Sequence, residues 1–541
     1  MASDHRNILF IMCDQLRFDY LGCSGHPHLE TPNIDWLASQ GVRFDRAYVQ
    51  SPICGPSRMS FYTGRYVRSH GSTWNGIPLR VGEMTMGDHL RELGVRTVLC
   101  GKTHMEADKE GLKRLGIDPS SPIGVLQSEC GFEPWDRLDG LHPDGYGHPP
   151  SHYNDYLSGL QYGGPNPWEQ WANSAEGDDG EILSGWLLEH ADKPARIADE
   201  HSETPYSTTR AMEFIDAAGD QPWCLHLSYI KPHWPYIVPA PYHDMYGPEH
   251  VIPVVRSEEE RRNAHPLLKA YYEHRFSKVF SREGVREHVI PAYMGLIKQI
   301  DDQLGRLWAF LKERDLFDDT MIVFTSDHGD YLGDHWLGEK EMFHEPSVRI
   351  PLIVYDPARE ADATRGTVSN ALVEAIDLVP TFVEFVGGAV RSNILEGQSF
   401  LATLRDPNYD HPRTTIFAEY DYSIRRARRI LDIPVKDCRL IMAFDGRWKY
   451  VHVEGMAPML YDLETDPDEL VDLGADPSCE SERQRLRELI FTWTRSPANR
   501  ITATDEQVAA RSGGEFKRGI LIGFWDNSDI AEANSDGESG N

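Results

Sequence analysis

The chain has 541 residues, with 54 Lys and Arg against 85 Asp and Glu and a net charge of −31 at pH 7. That length allows a large core and more than one domain, while the charge excludes a general attraction for nucleic acid or an anionic membrane. An anionic substrate would need a local cluster of cations or a metal.

No apolar run reaches the ~20 residues of a membrane span. The opening stretch MASDHRNILFIMCDQLR returns to charge at once and lacks a small-residue cleavage site, so it reads as a first strand and not as a signal peptide. The eight cysteines, at 13, 23, 54, 100, 130, 224, 438 and 479, show no C-x-x-C pair. They fit a reduced, cytoplasmic protein better than a disulfide scaffold or a structural zinc site.

Residues 7–13 (NILFIMC) are a continuous apolar run that empties into Asp14, Gln15 and Arg17, the pattern of a buried parallel strand with a polar loop at its carboxyl end. Open α/β sheets place chemistry in such loops, although Asp14 and Gln15 also suit a turn or a helix cap. A helix is predicted over 31–41, with Thr31 as N-cap, Pro32 at the first position and Gly41 at the end. SPICGPSRMSFYTGR at 51–65 then sets Cys54 in a tight turn before another helix. Its Pro56 suits the first helical turn, free amides there can face an anion, and Arg58 adds a permanent positive charge. By itself this also describes an ordinary buried cysteine. His70, Asn75 and a short helix over 85–93 follow.

Residues 95–101 (VRTVLCG) repeat the first pattern, ending in Lys102, Thr103 and His104. From 131 to 194 the sequence breaks into Gly, Pro, Tyr, Trp and His without a period, which reads as a lid or substrate-binding insertion. Its Tyr146, Tyr153, Tyr156, Tyr162 and Trp168 either line an apolar pocket or pack the insertion onto the body. A helix over 207–217 and a strand over 223–229 (WCLHLSY) lead to Lys231-Pro232-His233-Trp234-Pro235, where His233 has little backbone freedom. Leu296, Ile297, Ile300, Leu304, Leu307 and Leu311 mark an amphipathic helix over 294–311. The strand MIVFT at 321–325 ends in Ser326-Asp327-His328-Gly329-Asp330, with Asp334, His335 and Lys340 close behind. A further strand is predicted over 349–355 (RIPLIVY) and a helix over 371–386. After 410, runs at 439–444, 448–453 and 458–462 read as an antiparallel meander, with a helix over 482–493.

The expected fold is therefore α/β, a large, mostly parallel central sheet between helices, with a smaller C-terminal α+β subdomain containing an antiparallel sheet. The expected division is 1–410 (with the insertion at 131–194), 411–512, and a tail over 513–541. Within the tail, 516–525 (FKRGILIGFW) is apolar enough to dock on the body or a neighbouring subunit, and 534–541 is acidic and disordered in composition. Polar sets recur at strand ends: Asp14 and Gln15, Lys102 and His104, His233, then Asp327 and His328. This argues for one site along one sheet edge, where Asp14, Gln15, Asp327 and His328 can bind a hard or borderline divalent cation.

Cys54-Gly55-Pro56-Ser57-Arg58, followed by Thr63-Gly64-Arg65, resembles the signature of type I sulfatases in the alkaline phosphatase superfamily. The resemblance runs through NILFIMCDQ, TPNIDWLASQGVRF at 31–44, GKTH at 101–104, KPHWPY at 231–236, TSDHGDYLGDH at 325–335 and YDLETDPDEL at 461–470. It implies an alkaline-phosphatase-like fold and, within the superfamily, the arylsulfatase and phosphonate monoester hydrolase branch. In that family a maturation enzyme reads C-x-P-x-R and oxidises the cysteine to formylglycine, and the resemblance implies a homo-oligomer, a dimer or tetramer, for this chain. The implied cofactor is one divalent metal, Ca²⁺ or Mn²⁺ ahead of Mg²⁺ or Zn²⁺, held by Asp14, Gln15, Asp327, His328 and the modified Cys54.

By resemblance the hydrated aldehyde attacks the sulfur of a sulfate monoester. Lys102, Lys340 and Arg58 stabilise the charged oxygens, His233 or Lys340 assists the leaving alcohol, and Asn75, Lys102, His233 and Lys340 contact substrate. His104 then takes the proton that lets sulfate depart. Phosphonate monoester hydrolases carry Tyr and Thr where this chain has Lys102 and His104, and G-K-x-H is the sulfatase form. Sulfate esters, aryl sulfates foremost, are thus ranked ahead of phosphonate monoesters and phosphodiesters at the same site. Two other readings predict different behaviour. A silent binding protein would keep an unmodified thiol and no metal, and a thiol hydrolase pairing Cys54 with His104 would ignore chelators.

Overall fold

The computed structural model describes residues 7–140, 152–496, 501–511 and 519–535. Tyr146, most of the acidic end at 534–541 and the first residues of the 516–525 run lie outside them. The strands in chain order are β1 (Asn7–Asp14), β2 (Val42–Tyr48), β3 (Arg96–Gly101), β4 (Glu133–Arg137), β5 (Ser174–Glu176), β6 (Ile182–Ser184), β7 (Trp223–Pro232) and β8 (Thr320–Ser326). They continue with β9 (Arg349–Tyr355), β10 (Thr367–Glu374), β11 (Ile416–Asp421), β12 (Arg439–Phe444), β13 (Trp448–Val453) and β14 (Met459–Asp462).

An 8-stranded sheet runs in the order β10-β2-β9-β8-β1-β7-β3-β4. It is parallel except at β9, which is antiparallel to both β2 and β8. β1 is buried along its whole length, as its unbroken apolar run requires, and its two faces feed different cores. Ile8, Phe10 and Met12 join one cluster with the helix Cys54–Thr63 and the inner residues of β11 and β12. Leu9, Ile11 and Cys13 join another, with Leu296, Ile300, Leu304 and Leu307 of the long helix Val285–Glu313. The predicted stripe of that helix is thus core.

Register is what builds the site. Cys13 pairs with Ser326 across β1 and β8, so Asp14 and Asp327 leave the sheet side by side. Asp14 pairs with Pro232 of β7, just before His233. Gly101 of β3 pairs with Ser228 of β7, so Lys102 emerges next in line. The carboxyl ends of β1, β3, β7 and β8 therefore share one edge, where open α/β sheets bind ligands.

The separate sheet β11-β12-β13-β14 is antiparallel, and the helix Glu480–Arg495 covers one face of it through Leu486, Ile490 and Trp493. Two sequence expectations need correction. Residues 367–374 form β10, paired in parallel with β2, and only Leu378–Phe385 is α-helical, so the helix expected over 371–386 starts too early. Within 131–194, Glu133–Arg137 is β4, an edge strand of the main sheet against β3, and not part of an insertion.

Candidate active site

Cys54 is the first residue of the helix Cys54–Thr63, all of whose residues are buried. The Asn75 side chain accepts from the Gly55 N–H at 2.8 Å, and a Cβ on Gly55 would stand 2.8 Å from that same oxygen. Glycine is what lets Asn75 approach. Around the Cys54 sulfur stand His328 Nε2 at 3.1 Å, Lys340 Nζ at 3.2 Å and Asp14 Oδ1 at 3.7 Å.

One turn on, Arg58 is 0 % exposed and every arm of its guanidinium is used. Nε donates to Asp327 Oδ2 at 2.8 Å and Nη2 to Asp14 Oδ2 at 3.2 Å. Nη1 donates to the Lys102 carbonyl and to Ser228 Oγ, both at 2.8 Å. The Lys102 ammonium pairs with Asp14 Oδ2 at 2.5 Å. Burial alone would raise the Asp14 pKa, but the cations Lys102, Arg58 and Lys340 overcome it and hold the carboxyl well below its usual range. Burial and Asp14 push the Cys54 thiol up, while Lys340, His328 and Lys102 more than reverse this, so its pKa lies well below a free thiol's. A locally cationic pocket thus exists inside a strongly anionic chain.

Gln15 has a left-handed φ of 67°, a conformation a side-chain-bearing residue adopts only when its surroundings hold it. The holding contacts are an N–H bond to Asp327 Oδ1 at 3.1 Å, side-chain donation to Asp330 and Tyr236, and acceptance from Lys340 Nζ at 3.2 Å. Lys340 also meets His233 Nε2 at 3.3 Å. Burial lowers the His233 pKa well below its ordinary value, Lys340 and Lys102 lower it further, and Asp14 offsets them in part, which leaves the imidazole neutral.

The ligand atoms of Asp14, Cys54, Asp327 and His328 all lie within 4.8 Å of one another, and all four residues are buried. Two carboxylates, an imidazole and the nearby Gln15 amide oxygen form an oxygen-rich donor set with one nitrogen, which fits a divalent cation.

The structure thus brings together Asp14, Gln15, Cys54, Arg58, Lys102, His233, Asp327, His328 and Lys340, with Asn75 at the helix start. His104 stands apart from these contacts among the described residues. Its backbone, at φ 56°, donates to Asp139 Oδ1 at 3.1 Å, as Thr103 does at 2.9 Å, and its Nδ1 is buried without a partner. The insertion's Tyr153 and Trp168 are core residues of their own cluster, with Tyr156 and Tyr162 packed against it, so they hold that segment to the body.

Sequence reasoning missed Ser228, Ser326, Asp330, Tyr236 and Asp139 as parts of the site. Ser326 Oγ donates to the carbonyls of Cys13 and His328 and accepts from the Leu16 N–H, tying two strand ends together. Asp330 was visible in the S-D-H-G-D run, whereas a lone serine ending an apolar strand carries no signal.

Comparison with known proteins follows the same lines. The family model for Sulfatase matches residues 6–388, and that for the C-terminal part of N-sulphoglucosamine sulphohydrolase matches 333–495. The chain is 31% identical over 519 residues to the multifunctional alkaline phosphatase superfamily protein PehA of Trinickia caryophylli, covering 92% of this chain and 96% of that protein. It is 27% identical over 480 residues to an arylsulfatase of Clostridium perfringens, covering 86% and 90%. The solved phosphonate monoester hydrolase of Silicibacter pomeroyi superposes with a TM-score of 0.79 at 26% identity, covering 93% and 98%.

Proposed function

The chain belongs to the sulfatase family, and on that premise we propose that it hydrolyses sulfate monoesters, aryl sulfates foremost, at a formylglycine made from Cys54. The observation that carries this reading is the seat of Cys54. It is a buried sulfur at a helix start, with Lys340 at 3.2 Å, His328 at 3.1 Å and Arg58 one turn on. Cys54, Pro56 and Arg58 match the C-x-P-x-R pattern that a formylglycine-generating enzyme reads.

Asp14, Gln15, Asp327 and His328 would hold the divalent cation, Ca²⁺ or Mn²⁺ by this reading. When bound, it supplies Lewis acidity and lowers the pKa of an oxygen nucleophile at position 54. The remaining chemistry falls to side chains. Arg58 holds both carboxylates through Nε and Nη2, and Lys102 pairs with the same Asp14 oxygen that Arg58 reaches. Lys340 places an ammonium beside residue 54 and beside His233, where an anionic ester oxygen would lie, and can pass a proton to the leaving alcohol. His104, on its Asp139-anchored loop, is assigned the proton acceptor for sulfate release.

The eight cysteines are free of disulfides, which suits a reducing cytoplasm. No helix among the described residues is long and apolar enough to cross a membrane. The exposed Ile520, Leu521, Ile522 and Trp525 offer apolar surface for assembly into a dimer or tetramer.

Mass spectrometry of the peptide spanning residue 54, in protein made alongside a formylglycine-generating enzyme, tests the reading. The aldehyde is expected, and an intact thiol would count decisively against it. Hydrolysis of phosphonate monoesters and phosphodiesters is the second reading, supported by the structural likeness to a phosphonate monoester hydrolase. Comparing kcat/KM on an aryl sulfate, a phenyl phosphonate monoester and an aryl phosphodiester ranks the two.

A further inference from the structure

Resting on the ester-hydrolase reading of the catalytic site, we propose that a cavity behind His233 and Lys340 is the leaving-group pocket, built for an extended, uncharged aromatic alcohol larger than one phenyl ring. The cavity measures about 950 Å³. Its walls are Trp186, Trp234, Tyr236, Phe276 and Phe280, and Glu339, immediately before Lys340, also lines it.

A continuous line of contacts joins it to residue 54. Lys340 Nζ is 3.2 Å from the Cys54 sulfur and 3.3 Å from His233 Nε2. The His233 ring stacks on Trp234 at 5.4 Å with 14° between planes, and Trp234 meets Trp186 edge to face at 5.1 Å. The cavity therefore lies against Trp234 and Glu339, the chain neighbours of His233 and of Lys340, whose ammonium is positioned to protonate a departing oxygen. An alcohol leaving from residue 54 in that direction enters it.

Size and polarity set the occupant. A void of roughly 150 Å³ already accommodates one benzene ring, so this cavity exceeds a phenyl ester's needs several times over, within the range of ligand pockets. Arg275, Arg282, Glu189 and Glu283 sit at the exposed mouth, and Glu339 lies deeper, 3.6 Å from the Lys340 ammonium, so the carboxylates outnumber the guanidiniums. A polysulfated sugar would find no net cationic attraction there. Flat aromatic surfaces would find indole and phenyl faces inside. Trp186 comes from the 131–194 stretch, and its ring is fixed by Nε1 donation to Glu169 at 2.8 and 3.0 Å. That stretch therefore supplies a substrate wall through Trp186, a residue apart from the tyrosines that anchor it.

The test uses the metal-loaded, matured enzyme and sulfate esters of phenol, 2-naphthol and 4-hydroxybiphenyl, whose acidities are similar, with a disulfated sugar as the contrasting substrate. A rise in kcat/KM of about tenfold from phenyl to biphenyl ester is expected. Trp186→Ala and Phe276→Ala should each cancel that rise, bringing the two esters to within about twofold of one another. Binding of free 4-hydroxybiphenyl, followed by calorimetry, gives a readout that does not need turnover.

Hydrolysis without any size preference, or with preference for the disulfated sugar, overturns the pocket and leaves the hydrolase reading standing. Absence of turnover on every ester, with 4-hydroxybiphenyl bound and its binding weakened by Trp186→Ala, keeps the class of occupant and overturns the hydrolase reading. Neither turnover nor binding overturns both.

Discussion

The Lys340 ammonium donates to the Cys54 sulfur at 3.2 Å although the two residues are 286 positions apart. Lys340 also bonds Gln15 and faces His233, so one buried cation joins the nucleophile's seat, the donor set and the leaving-group side. Lys340→Ala should lower kcat by about 10²- to 10³-fold, the usual effect of removing one aligned donor. The loss should grow as the leaving alcohol becomes less acidic. An equal loss across a series of aryl sulfates would contradict a role in protonating the alcohol.

The ligand atoms of Asp14, Asp327 and His328 lie within 4.8 Å of one another and of the Cys54 sulfur. Exhaustive dialysis against a chelator should abolish turnover, and adding back Ca²⁺ or Mn²⁺ should restore it, with roughly one ion per chain by elemental analysis. Asp327→Asn should lose the ion in that measurement whether or not residue 54 has been converted. Full activity in the chelated protein would favour the thiol-hydrolase reading instead.

Arg58 carries a third prediction, this time about stability. Removing it leaves Asp14 and Asp327 buried without their shared guanidinium, and breaking a buried pair in this way costs about 3–5 kcal/mol. Urea unfolding of Arg58→Ala should show that loss. Arg58→Lys should recover only part of it, because an ammonium cannot reproduce the fork that reaches Asp327, Asp14, Ser228 and the Lys102 carbonyl together. A variant within about 1 kcal/mol of the parent would falsify this account.

Glu129 predicts a pH effect away from the donor set. Its carboxylate bonds Arg137, which in turn bonds Asp139 under the His104 loop. Burial pushes its pKa from 4.5 up to about 7, Asp139 adds to the rise, and Arg137 only partly opposes it. The folded state therefore keeps a proton that the unfolded chain releases above pH 4.5. Stability falls as the pH rises from there through about 7, by about 3 kcal/mol in all, and then levels off. Glu129→Gln should flatten that part of the stability-against-pH curve. An unchanged slope would assign the proton elsewhere.

The site was legible wherever the chain writes it as contrast, an apolar run broken by charge. Asp14, Lys102, His233 and Asp327 each follow such a run, and the parallel register then forces them together. Ser228 and Tyr236 were illegible because their importance lies in what folds over them, Arg58 in one case and Gln15 in the other. β10 was misread because A-L-V-E-A-I-D-L-V suits a helix locally, and only pairing with β2 overrides that preference. β4 is a short edge strand with one buried position, too little for a period to show. The insertion's aromatics were ambiguous for a plain reason: anchoring a loop and lining a cavity call for the same residue types.

The depth of Cys54 has one more consequence. It is 1 % exposed, Arg58 is 0 % exposed, and Pro56 between them is buried within a helix that has no free face. An enzyme that recognises these three residues cannot touch them once the sheet, this helix and the C-terminal domain have closed around them. The proposed conversion therefore belongs to the chain's earliest minutes, before it folds. Protein that folds unconverted would keep its thiol permanently, and the converted fraction of any preparation would record a race between a modifying enzyme and the folding of its own substrate.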